Sequence, residues 1–98
     1  MPLDVIALIP AKPGSEDVVR DALVTLVAAT RQEEGCVSYD LHESQAAPGT
    51  FVTVEVWRDQ AALDGHMGTP HIAAAFAAVG DHVAGAPAIH ALTPVQVG

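Results

Sequence analysis

The sequence predicts an α+β domain of the ferredoxin-like order β-α-β-β-α-β, a four-stranded antiparallel sheet with helices on one face and a second copy completing a dimeric α+β barrel. Three observations predict it. Apolar residues recur at helical spacing between positions 16 and 30. Two-residue alternation runs through positions 37–43 and 50–57. The strands carry large apolar groups on both faces, so helices on one side leave a second apolar face to cover.

The elements follow in order. Leu3 to Ala11, LDVIALIPA, is apolar at both alternating sets of positions and reads as a strand buried on both faces for most of its length. KPGS turns the chain, and Ser15 is placed to cap a helix whose first turn holds Glu16 and Asp17, where negative charge suits the helix dipole. That helix runs to about Thr30 with Val19, Ala22, Leu23, Leu26 and Val27 as its buried stripe, while Arg20 and Asp21 face water. Gly35 closes it, supplying the left-handed backbone that such exits often use.

The next strand, Val37 to about Glu43, places Val37, Tyr39 and Leu41 on one face and Ser38, Asp40 and His42 on the other. After SQAAPG, the strand Thr50 to Trp57 points Val52, Val54 and Val56 one way and Phe51, Thr53, Glu55 and Trp57 the other. Asp59 to Met67 is a short helix; GTP interrupts it, so it kinks near Gly68, with Thr69 as cap and Pro70 at the first helical position of a segment reaching about Val79. Pro87 to Val97 is the last strand, with Pro94 marking an edge or bulge.

Ninety-eight residues make one domain, 1–98, and a chain this short buries only roughly two-thirds of its unfolded surface, which favours a homo-oligomer. Half the residues are hydrophobic, but alanine and valine dominate and only Tyr39, Phe51, Trp57 and Phe76 are aromatic. The net charge of −8 argues against nucleic acid and anionic membranes as partners. With no secretory leader pattern, no apolar run near the ~20 residues that span a bilayer, and one cysteine, Cys36, the expected compartment is the cytoplasm.

Chemistry concentrates in FVTVEVWRDQAALDGHMGTPH, positions 51 to 71. Glu55, mid-strand between valines, needs a partner or a polar cavity; in a dry pocket a carboxylate is a stronger base and can serve as a general base. Its structural alternatives are a pair with Lys12, Arg31 or Arg58, or hydrogen bonds to a buried tyrosine or histidine. His66 ends one helical segment and His71 begins the next, an arrangement that can supply one acid and one base; the plainer alternatives are a core histidine and a surface cap. Their spacing of five misses the i, i+4 pattern of a zinc pair, and no third ligand shows a metal spacing, so no metal is expected. Tyr39 and Trp57 are candidates for an aromatic wall, or else core and interface residues. Cys36 reads as a small buried hydrophobe, its thiol pKa held up by Glu33 and Glu34.

AKPG after the first strand, TRQEEGCVSYDLHES, and the pattern of E-x-W followed by Asp, Ala-Leu, His and a second His resemble the antibiotic biosynthesis monooxygenase family, in its small bacterial quinol-monooxygenase-like branch. The resemblance covers most of the chain. It implies a homodimer that oxidises a small aromatic quinol, phenol or anthrone-like substrate with dioxygen and no cofactor, the substrate anion being the electron donor. It further implies Glu55 or His66 as base or anion stabiliser, His71 as a second polar contact, and Tyr39, Trp57 and Phe76 against the substrate. Other members of the branch imply a proton-transferring isomerase or cyclase, and the residues read as purely structural leave a non-catalytic dimeric binding or stress protein as the alternative. Haem-degrading members look to need an asparagine on the first strand and a histidine in the stretch that here reads AAAFAAVG, so haem chemistry is not expected.

Overall fold

The computed structural model describes residues Met1–Gly98, which form β1 (Leu3–Pro10), α1 (Glu16–Thr30), β2 (Cys36–Glu43), β3 (Thr50–Trp57), α2 (Gln60–Met67), α3 (Pro70–Val79) and β4 (Ala88–Leu92). The strands form one antiparallel sheet in the order β2-β3-β1-β4, the ferredoxin-like arrangement, with the predicted second helix divided in two. No helix is long and apolar enough to cross a membrane.

Alternation decides which strand residues enter the core. On β3, Phe51, Thr53, Glu55 and Trp57 are all buried beneath the helices, while Val54 on the opposite face stays 41% exposed. On β1, Val5, Ala7 and Ile9 face inward, and Leu8 remains 39% exposed, so β1 is buried on one face of this chain and open on the other. The stripe of α1 seats Val19, Leu23 and Leu26 against Phe51, Ile72, Ala75 and Val79. A second cluster, Val5, Val27, Tyr39, Trp57 and Leu63, fills the end of the sheet under α2. Burying side chains of this size contributes about 1.5–3 kcal/mol each.

Several local expectations change. Ser15 makes no capping bond to α1; its hydroxyl lies 3.0 Å from His82 Nδ1 instead. β2 carries a bulge between Cys36 and Ser38, which turns Cys36 toward the core cluster and leaves Val37 63% exposed, whereas simple alternation placed Val37 beside Tyr39 and Leu41. One extra residue reverses the facing of everything before it. Gly35 does not use a left-handed backbone. Its requirement is space, because a Cβ there would lie 2.4 Å from the Cβ of Ala62, so the glycine lets α2 close onto the turn after α1. The last strand stops at Leu92, short of Pro94.

The break at GTP is built as predicted. Asp59 caps α2 by accepting from Ala62 N–H at 2.9 Å, and α2 ends at Met67. Thr69 donates to the carbonyl of His66 at 2.7 Å while accepting from Ile72 N–H, and Pro70 opens α3. The chain thereby changes direction between His66 and His71 and points both rings toward the same turn.

Candidate functional site

Three side chains on the inner face of β3 form a ladder. Trp57 Nε1–H donates to Glu55 Oε1 at 2.8 Å, and Thr53 Oγ1–H donates to Oε2 at 2.7 Å. Residues two apart on a strand share a face, which is why one carboxylate reaches both donors. Glu55 is 4% exposed and Thr53 and Trp57 less, so two charge-assisted hydrogen bonds replace water at a buried carboxylate. None of the basic partners considered above reaches it: Lys12 bonds the Asp81 carbonyl, Arg31 pairs with Asp40, and Arg58 lies near Glu34 and Asp59.

His66 is 2% exposed and packs against Trp57 with ring centroids 4.5 Å apart and planes tilted by 39°, and against Tyr39 at 5.7 Å and 56°. Its Nδ1 lies 2.6 Å from Glu33 Oε2, and the same oxygen lies 2.7 Å from His71 Nε2. With Nδ1 held by Glu33, Nε2 is the nitrogen left for chemistry. Glu33 was not among the predicted site residues. It stands in the turn between α1 and β2, far from either histidine in sequence, where it was read only as a charge that holds up the Cys36 thiol pKa.

Between the helices and the sheet lies a cavity lined mainly by apolar side chains, among them Ile9, Leu23, Leu63 and Ile72, with Tyr39, Thr53, Glu55 and His66 as its polar groups. None of the four lysine and arginine side chains lines it. Of its lining residues, Met67, Phe76 and Ile89 reach the surface, at 38%, 42% and 42% exposed. The open space inside is about 40 Å³, room for a few waters. A dry cavity of roughly 150 Å³ holds benzene, so this space is smaller than one aromatic ring requires.

The predicted residues therefore separate. Glu55, His66, Tyr39 and Phe76 meet at one cavity. Trp57 does not line it, and lies behind Glu55 and His66 as a supporting residue. His71, a quarter exposed, joins through Glu33 and borders a second, more open space of about 260 Å³ between α1 and α3. Burial pushes the Tyr39 phenol well above its ordinary value of 10.0, the negative charge of Glu55 adds to this, and the Thr53 hydroxyl opposes it. Tyr39 therefore stays a neutral hydrogen-bonding group. Burial first, then Glu33 and Glu55, raises the Cys36 thiol above its ordinary value, in line with an unreactive cysteine.

The chain is similar to known proteins of one family. The profile of the antibiotic biosynthesis monooxygenase family matches residues 2–78. A Mycobacterium tuberculosis protein named "Putative monooxygenase Rv0793" is 38% identical over 95 residues, 97% of this chain and 93% of that one. Its solved structure superposes with a TM-score of 0.88 over 99% of this chain and 98% of that chain. The Escherichia coli K12 protein named "Probable quinol monooxygenase YgiN" is 33% identical over 82 residues, covering 74% of this chain and 79% of that one. The structure of PA3566 from Pseudomonas aeruginosa, 35% identical, superposes with a TM-score of 0.87 over 97% of this chain and 95% of that chain.

Proposed function

Because the chain belongs to the antibiotic biosynthesis monooxygenase family, we propose that it is a cofactor-independent monooxygenase that oxidises a small aromatic quinol, phenol or anthrone-like substrate with dioxygen. The observation that carries this reading is a buried histidine, His66, anchored through Nδ1 by Glu33 at the wall of an apolar cavity. Glu55 has both oxygens engaged by donors and is the anchored carboxylate of the site; His66 is the base.

In an anthrone-like substrate, Nε2 of His66 takes the acidic C–H proton, and the Glu33 carboxylate offsets the imidazolium charge. The substrate carbanion passes an electron to dioxygen and the resulting pair recombines to a peroxide anion. That anion takes the proton back from His66, and the hydroperoxide loses water to leave a carbonyl. One methylene group and one dioxygen thus give one ketone and one water, with one oxygen atom in each product. The neutral Tyr39 phenol is positioned to donate to the developing oxyanion in a space that excludes bulk water. The absence of lysine and arginine from the cavity lining disfavours phosphorylated substrates.

A second copy completes the protein in this reading. The open face of the sheet carries Ile6, Leu8, Val52, Val54, Val56 and Leu92, and a like face from another chain covers it. The test is oxygen uptake by metal- and flavin-stripped protein with a panel of hydroquinones and anthrones. Uptake above autoxidation, and its loss in His66→Gln, is the expected result. Uptake no greater than autoxidation overturns the reading, and turnover under argon reassigns the site to a proton-transferring isomerase.

A further inference from the structure

The cluster around Glu33 has the makings of a second function. We propose that Glu33, His66 and His71 bind a first-row divalent cation of the zinc class, through Oε2, Nδ1 and Nε2 respectively, and that the bound ion switches the base off.

The three ligand atoms come from three elements, the turn after α1, the end of α2 and the start of α3, and lie within 4.8 Å of one another. Two imidazole nitrogens and one carboxylate oxygen are a ligand set that suits zinc, cobalt and nickel. In the metal-free cluster both nitrogens face a single oxygen, at 2.6 and 2.7 Å, and because an ionised carboxylate only accepts, each bond requires a proton on its nitrogen. A divalent cation takes the place of those two protons. Zinc bonds of about 2.0–2.2 Å put tetrahedral ligands roughly 3.3 Å apart, so the oxygen withdraws by well under 1 Å from each nitrogen and the nitrogens draw together.

The side chains that must move are the ones with freedom to do so. Glu33 stands in a turn with its side chain 18% exposed, and the His71 side chain is 25% exposed. His66, 2% exposed and packed on Trp57, is the fixed ligand. The two partly exposed ligands also give the ion a path from solvent and leave water to complete its coordination, as in exchangeable rather than structural sites.

Metal on Nδ1 obliges a neutral imidazole to carry its proton on Nε2. The nitrogen that served the cavity as acceptor becomes a donor, and oxidation stops. This inhibitory consequence rests on the oxygenase reading, whereas ion binding does not.

The experiment is equilibrium dialysis of the metal-stripped full chain against Zn²⁺ alone, with Co²⁺ as a spectroscopic substitute. One ion per chain is expected, with visible ligand-field bands for cobalt, and binding weakened by about tenfold or more in both Glu33→Gln and His71→Ala. Asp21→Asn, on the water-facing side of α1, keeps full binding. Circular dichroism verifies that the two part-exposed variants fold. Absence of binding, or binding unchanged in both variants, overturns the site. Zn²⁺ that binds as expected but leaves oxygen uptake intact overturns the switch alone.

Discussion

Replacing Glu55 by glutamine separates an anchoring carboxylate from a catalytic one. Both hydrogen bonds survive the change in altered form: the amide oxygen accepts from Trp57 Nε1–H, and the amide N–H donates to Thr53 Oγ1, which becomes the acceptor. Two charge-assisted bonds of about 1.5–3 kcal/mol become neutral ones of about 0.5–1.5 kcal/mol, a loss of roughly 2–3 kcal/mol. Removing a charge from a position 4% exposed returns part of its desolvation cost, so the net change is expected within about 1.5 kcal/mol. Glu55→Ala differs in kind, because it strands two buried donors at about 1–3 kcal/mol each and opens a cavity, for a total near 3–5 kcal/mol. Urea denaturation followed by Trp57 fluorescence measures both. Oxygen uptake in the glutamine variant should stay within about tenfold of the wild type, whereas losing a general base costs about 10²–10⁴-fold. A folded Glu55→Gln protein of near-native stability with no activity refutes this assignment and makes Glu55 the base.

Tyr39 is the only tyrosine, so alkaline absorbance titration reports it alone. Its phenol pKa is raised by burial, so the folded state holds the proton after the unfolded state has lost it; stability should be level below the ordinary value of 10.0, fall as pH rises through and beyond it, and lose this dependence in Tyr39→Phe. Gly35→Ala should destabilise by about 1–3 kcal/mol in urea unfolding, because its Cβ would meet that of Ala62 at 2.4 Å and push α2 outward. Val54→Glu puts a second carboxylate beside Asp40 on the open face of the sheet, and sedimentation should show the proposed dimer converted to monomer; an unaffected assembly would mean that copies meet elsewhere.

Local pattern was enough for most of the scaffold. The alternation of Phe51, Thr53, Glu55 and Trp57 against three valines placed the correct face of β3 inward, and the α1 stripe needed only its 3.6-residue period. Thr69 and Pro70 marked the break in the second helix because capping chemistry acts over three or four residues. The same locality explains the misses. A bulge at Val37 and the close approach of Gly35 to Ala62 arise from neighbours distant in the chain, which no window of sequence contains.

By itself, then, the sequence determined the element order, the side of the sheet to which most strand residues belong, and the candidacy of Glu55, His66 and His71. Tertiary structure alone decided their partners. Packing of α2 and α3 against the turn after α1 brought Glu33 to His66 and His71, residues 33 and 38 positions away, and gave both histidines one shared oxygen. The ladder on β3 turned Glu55 into a doubly bonded anchor and withdrew Trp57 from the cavity wall. The physical reason is that periodicity specifies the direction of a side chain from its own backbone, whereas a site depends on the distance between side chains on different elements, which packing sets.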